Sequence, residues 1–191
     1  MGNIKYFNNI KDLPRLTEVG WAMVKCPDDI LSIINRCYKQ LVEKQPRFDV
    51  VHSKAGIKAQ LFDINQHFSK EGKEILEGLK PIHEEWCNQP LESSMIWGVR
   101  SYLEGSVLPI HTDNLQTHHV ASTIMIDSDQ DEDWALQVQG HDFNVVDIYQ
   151  KKGGMVMYES GKCKHARREP FKGRFYRNLY VHYKLKNFKY K

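Results

Sequence analysis

The sequence is poor in the features that mark several large protein classes. No apolar run approaches the roughly 20 residues that span a bilayer, so a membrane helix is not expected, and a mean hydropathy of -0.57 agrees. Residues 1–15 are polar and lack the apolar stretch of a secretory signal. The four cysteines, Cys26, Cys37, Cys87 and Cys163, include no C-x-x-C pair. A zinc knuckle, a thioredoxin-like motif and a disulfide framework therefore lack support, and reduced thiols in a cytoplasmic protein are the plain expectation. Charge of one sign is scarce too: 27 Lys and Arg stand against 24 Asp and Glu, a net +3. Basic residues are scattered apart from a C-terminal sprinkling (Lys184, Lys186, Lys189, Lys191), so no stripe for nucleic acid is expected. No repeat or low-complexity linker divides the 191 residues. They suffice for one core, and a single domain over 1–191 follows.

What is present changes character midway. In residues 1–92 the spacing predicts two helices. Pro27, Asp28 and Asp29 suit a helix start, and Ile30, Ile34, Cys37, Tyr38 and Leu41 follow at helical intervals. A second stripe, Ile75, Leu76, Leu79, Ile82 and Trp86, marks a helix over 69–88, with a short strand or loop within 50–68. From residue 93 to 187, short runs rich in β-branched and aromatic residues alternate with glycine turns: 95–103, 108–111, 120–127, 134–138, 143–149, 155–159 and 175–185. No helix-length segment separates them. The pattern predicts a mainly β fold, a sandwich or barrel, with the N-terminal α-helices supporting one face.

One constellation carries chemistry. His111-Thr112-Asp113 closes the run that begins at Leu108, and residues i and i+2 of a strand point the same way. An imidazole and a carboxylate are two-thirds of a 2-His-1-carboxylate triad, the set that leaves positions open on Fe(II). His165, between two further runs, is the expected third ligand. By itself H-x-D is weak evidence. The chain supplies a control in His83-Glu84-Glu85, which falls in a predicted helix, where i and i+2 diverge by about 200° and do not chelate.

The stretch from Trp97 to Tyr183 resembles the prolyl 4-hydroxylase-like branch of the 2-oxoglutarate/Fe(II) oxygenases. The likeness runs through Arg100-x-Tyr102-x-x-Gly105 to His111-x-Asp113, then Trp134 to Val138 and Gly154 to Ser160. It ends in His165-Ala166-Arg167, Pro170, Gly173 and Tyr176 to Tyr183. It covers almost half the chain, in order; each piece alone is unspecific. The resemblance implies a double-stranded β-helix (a cupin-like jelly roll) that holds Fe(II) by His111, Asp113 and His165. It implies 2-oxoglutarate as co-substrate, O2 as oxidant, and ascorbate as a possible reductant. A carboxylate at Asp113, where a halogenase needs a small residue, favours hydroxylation. The substrate it suggests first is a peptidyl proline; a free amino acid or other small molecule is the alternative.

The family also places a cation near the far carboxylate of 2-oxoglutarate, usually two residues beyond a glycine, with a tyrosine beside it. Here the residue two beyond Gly173 is Phe175. Counting back from the closing strand brings Arg174 to that place. If alternation holds, Arg174, Tyr176, Asn178, Tyr180 and His182 share the lumen face, and Phe175, Leu179 and Val181 the other. Arg174 is the expected anchor, a guanidinium fork suited to a carboxylate; Arg167, Lys172 and Arg100 are rivals. Tyr102 is the expected hydroxyl, or else a tyrosine packed in the barrel wall.

Other features are read plainly. Asp127 to Asp131 opens like a calcium loop but has Glu132 at the glycine position and Val138 at the terminal glutamate, so an exposed acidic hairpin is expected. His118 and His119 either line the mouth or cap a strand, the latter preferred. Trp21, Trp97 and Trp134 read as core, and Cys163 as incidental. A non-catalytic metal-binding jelly roll and a nucleic-acid demethylase are the remaining alternatives; the charge pattern speaks against the second.

Overall fold

The computed structural model describes residues 13–44, 46–48 and 59–186. The helices follow from local sequence. Helix α1 (Asp28–Leu41) starts after Pro27, carries Asp28 and Asp29 in its first turn, and buries Ile30, Ile34, Cys37, Tyr38 and Leu41. A one-turn helix, α2 (Ile64–His67), is capped by Asp63, whose Oδ1 accepts from Asn65 N at 2.9 Å and Gln66 N at 3.3 Å. Helix α3 (Ser69–Cys87) buries Ile75, Leu76, Leu79, His83 and Cys87 and stops at Asn88 in the left-handed conformation.

Eleven strands are described. In chain order they are β1 (Trp21–Lys25), β2 (Arg47–Phe48), β3 (Ala59–Phe62), β4 (Leu91–Tyr102), β5 (Leu108–His111) and β6 (Val120–Gln130), followed by β7 (Leu136–Gln139), β8 (Val145–Ile148), β9 (Gly154–Tyr158), β10 (His165–Arg167) and β11 (Gly173–Leu185). They form a seven-stranded sheet, β1-β9-β6-β11-β4-β3-β2, and a four-stranded sheet, β5-β10-β7-β8. All pairings are antiparallel. The result is a jelly roll, the form of β fold that the family resemblance implies.

The seven-stranded sheet has two different faces. Ile96, Val99, Leu179, Val181 and Tyr183 join Ile30, Ile34, Ile75 and Leu79 in the main apolar core under α1 and α3. Tyr183 Oη ties this face to α3 by donating to Leu76 O at 2.8 Å. The other face looks across a cavity of about 500 Å³ at the four-stranded sheet and carries Arg100, Tyr102, Tyr180 and His182.

The N-terminal half does more than supply helices. Strand β1 pairs with β9, Trp21 against Tyr158 through Lys25 against Gly154, and β3 pairs with β4. The 1–92 region therefore also extends the large sheet. The five residues of β1 have a mixed burial pattern without clean alternation, so little in the sequence marks them. Within 50–68, a strand and a short helix occupy 59–67, and 49–58 lie outside the described residues.

Candidate metal and co-substrate site

The three expected ligands converge. One donor atom from each of His111, Asp113 and His165 lies within 4.8 Å of the others. His111 ends β5 and His165 opens β10, directly opposite each other in the ladder. Asp113 follows two residues on, its backbone N–H held by Ser160 O at 2.8 Å. Asp113 Oδ1 is 3.7 Å from Nε2 of each histidine.

The ring orientations are built for a cation. Nδ1 of His111 is 2.8 Å from Pro109 O, and Nδ1 of His165 is 3.0 Å from Cys163 O. A carbonyl accepts only, so Nδ1 carries the proton in both, and both Nε2 lone pairs turn to Asp113. Burial pushes the His165 imidazole down to about 4, which keeps it neutral. Burial acts to raise the Asp113 carboxyl, but the nearby rings of His182, His165 and His111 outweigh it and hold the group well below the usual carboxylate range. Two imidazoles and a carboxylate with converging donor atoms fit a divalent metal, and the donor set suits Fe(II) with positions left open.

Two residues beyond His165 on the same strand, Arg167 also faces the lumen. It is 1% exposed. Its Nη1 donates to Trp134 O at 2.6 Å and its Nη2 to Gln150 Oε1 at 3.2 Å. The guanidinium carbon sits 4.6 Å from the Trp134 ring and 4.5 Å from the Tyr176 ring. Gln150 is itself oriented, its Nε2 donating to Thr123 O at 2.9 Å and Gly154 O at 3.2 Å. Burial opposes the charge, but the oxygens of Tyr176, Tyr180 and Tyr102 outweigh it and raise the Arg167 pKa. Among the described residues no carboxylate pairs with Arg167. A buried cation held only by neutral groups is incomplete until an anion arrives.

Arg174 is elsewhere. Its side chain is 80% exposed and pairs with Asp129 on the outer surface. The reason is a bulge. Gly173 pairs with Gln130 and Phe175 with Asp129, so Arg174 is an extra residue that resets the alternation. Gly173 permits this with φ +133, where a Cβ would come within 2.4 Å of Asp129 O. Beyond the bulge the expected parity returns, with Tyr176, Asn178, Tyr180 and His182 buried. Of the rivals, Lys172 is exposed and bonds Glu132, whereas Arg100 lines the cavity with its Cζ 4.9 Å from the Tyr180 ring. Tyr102 is buried, lines the same cavity, and its hydroxyl lies 3.2 Å from that of Tyr180.

A second bulge explains Trp97. Tyr180 pairs with Gly98 and Val181 with Ile96, which leaves Trp97 extra and turned to the cavity wall, a place its reading as core did not give it. His118 likewise lines the cavity, its ring 4.0 Å from that of His182, whereas His119 is a cap whose Nδ1 accepts from Leu185 N at 2.9 Å. Sequence reasoning passes over Gln150, whose only signal is a position just past a strand end. In the acidic stretch, Asp127 and Asp129 meet Arg177 and Arg174 across the β6–β11 ladder.

No family sequence model matches the chain, and no curated protein does. Solved structures do. The prolyl-4-hydroxylase of Pseudomonas putida has a TM-score of 0.67 at 15% identity, over 93% of this chain and 98% of that one. HygX from Streptomyces hygroscopicus, with nickel, 2-oxoglutarate and hygromycin B bound, has 0.65 at 12% identity, over 90% and 85%. SnoN, a non-haem α-ketoglutarate-dependent epimerase from nogalamycin biosynthesis, has 0.69 at 10% identity, over 89% and 79%. At these identities the likeness shows the fold alone. A prolyl hydroxylase, a hygromycin B complex and an epimerase share it, so the fold does not select the substrate.

Proposed function

We propose that the protein is a 2-oxoglutarate- and Fe(II)-dependent oxygenase that hydroxylates its substrate. The observation that carries this reading is the placement of two complementary groups in one lumen. The converging donors of His111, Asp113 and His165 suit a cation, and buried Arg167, two residues along β10 from His165, suits an anion. Two strand residues separate them by roughly 7 Å, a span a five-carbon keto diacid covers.

In this reading His111, Asp113 and His165 hold the metal. Arg167, stiffened by Trp134 O and Gln150, binds the far carboxylate, with the Tyr102 hydroxyl beside it. Bound Fe(II) and 2-oxoglutarate together supply the oxidising chemistry, in which O2 is consumed, 2-oxoglutarate becomes succinate and CO2, and the substrate gains an oxygen atom. The protein's own work is to orient the diacid, to leave metal positions open, and to exclude bulk water with the aromatic floor of Tyr102, Trp134 and Tyr176. A peptidyl proline is the first substrate to test, on the strength of the sequence resemblance. A small-molecule substrate is the second reading, favoured by the cavity of about 500 Å³, within the range of small-ligand sites. Four buried free thiols support a reducing, cytoplasm-like compartment, and among the described residues no helix is long and apolar enough to cross a membrane.

The test is 2-oxoglutarate binding to the Mn(II)-loaded protein. Arg167→Ala leaves the carboxylate unpaired in a buried site, at about 2–5 kcal/mol, and raises Kd by one or more orders of magnitude. Iron-dependent succinate release, stimulated by ascorbate and lost in His111→Ala, is the expected activity. No succinate under any metal or reductant, with the triad occupied, would sink the reading. Stimulation by a free amino acid and by no proline-rich peptide would move it to the small-molecule alternative.

A further inference from the structure

Asp113 presents two oxygens to different neighbours. Oδ1 faces the two histidine ligands, 3.7 Å from each Nε2, whereas Oδ2 faces His182 Nε2 at 3.5 Å. Oδ2 is buried and has no well-formed hydrogen bond among the described residues; neither has the far nitrogen of His182, Nδ1. That second fact assigns the ring's tautomer. A proton on Nδ1 would be a buried, unsatisfied N–H, which costs about 1–3 kcal/mol, whereas a proton on Nε2 points at a carboxylate. The ring is held from its other side by His118, 4.0 Å away between centroids. The His118 ring is in turn fixed by Thr117 Oγ1, 2.5 Å from its Nδ1. On β11, His182 stands between Ala121 of β6 and Met95 of β4.

We infer that His182 is a positioning residue for the metal centre: its Nε2–H engages Asp113 Oδ2, so that the carboxylate ligates through Oδ1 alone. A carboxylate free of this contact can chelate through both oxygens and take a position that co-substrate or O2 needs. This rests on the metal-centre reading above but adds a role that the triad does not contain.

The experiment uses the full chain loaded with Mn(II), without 2-oxoglutarate. Pulsed EPR in D2O counts the exchangeable waters on the metal, and titration gives the affinity. His182→Phe keeps a ring against His118 and removes the donor. It should show one metal-bound water fewer than wild type and an affinity altered by about 10- to 100-fold, the range for outer-shell partners. His182→Gln, which retains an N–H donor, should restore the wild-type count. In the Zn(II)-loaded wild type, long-range nitrogen–proton NMR should show His182 as the Nε2–H tautomer, a readout that needs no variant to fold. An unchanged water count and affinity in His182→Phe, or an Nδ1–H ring in the wild type, overturns the role of His182. A wild type that does not hold Mn(II) at all overturns the metal centre instead.

Discussion

His83, under the helices, and His165, in the lumen, are both buried, and each ring leans on a backbone carbonyl through Nδ1, 2.7 Å from Leu79 O and 3.0 Å from Cys163 O. Burial pushes both down to about 4. Beyond that they part. His83 Nε2 has no hydrogen-bond partner among the described residues, and its ring packs 4.6 Å from that of Tyr183. His165 Nε2 faces Asp113 Oδ1 at 3.7 Å. The helix carries the acidic neighbours of His83 away around its axis, whereas the strand end and its neighbour bring two more donors to His165. The same contrast runs along β11, where Leu179, Val181 and Tyr183 stabilise the fold by burial and Tyr180 and His182 line the lumen. Alternate residues of one strand therefore answer to different demands, stability on one side and ligand chemistry on the other.

Variants on the two faces should separate these demands. The largest effect is expected for His165→Ala, which should weaken Mn(II) or Fe(II) binding by more than the roughly 100-fold that outer-shell partners contribute, with little loss of thermal stability. His83→Ala should leave metal affinity unchanged; if it does not, the two faces are coupled. Leu79→Ala, under the helices, should cost about 2–5 kcal/mol in denaturant unfolding while the folded fraction binds metal normally.

A change of pH sharpens the comparison further. Because His83 titrates near 4 in the folded protein and near 6.5 in the unfolded chain, the unfolded state takes up more protons between those values. The contribution of neutral His83 is thus complete above pH ~6.5 and falls away as pH drops toward 4, by about 3 kcal/mol in all. His83→Leu should remove this part of the acid sensitivity, seen as a flatter plot of unfolding free energy against pH. A wild-type plot no steeper than that of the variant between pH 4 and 6.5 would contradict the assignment. Smallest of all, Arg174→Ala should change stability by within about 0.5 kcal/mol and leave 2-oxoglutarate binding as it is. A defect there comparable to that of Arg167→Ala would restore Arg174 as the anchor.

Much was legible without coordinates because it depends on local periodicity. The buried stripe of α1 is the set that its spacing predicts. The jelly-roll strands fall where short β-rich runs alternate with glycine turns, and His111 ends β5 and His165 opens β10, with Asp113 two residues past the end of β5. The short edge strand β1 was not legible, because five residues with irregular burial are held by pairing with β9, far along the chain, from Trp21 against Tyr158 to Lys25 against Gly154.

The sequence by itself determined the helices and the strand-rich half, which rest on residue type and a repeat of 2 or 3.6, and it singled out the three converging donors by motif, position between runs and family resemblance. Tertiary structure alone decided that Arg167 and not Arg174 enters the lumen. Counting assumes unbroken alternation, and one residue bulged against β6 turns Arg174 out to Asp129 while Arg167, on the shorter strand β10, stays in. It also decided that His118 and Trp97 line the cavity. Their orientation depends on bulges and ring packing set by neighbouring strands, and no local pattern of residues encodes it.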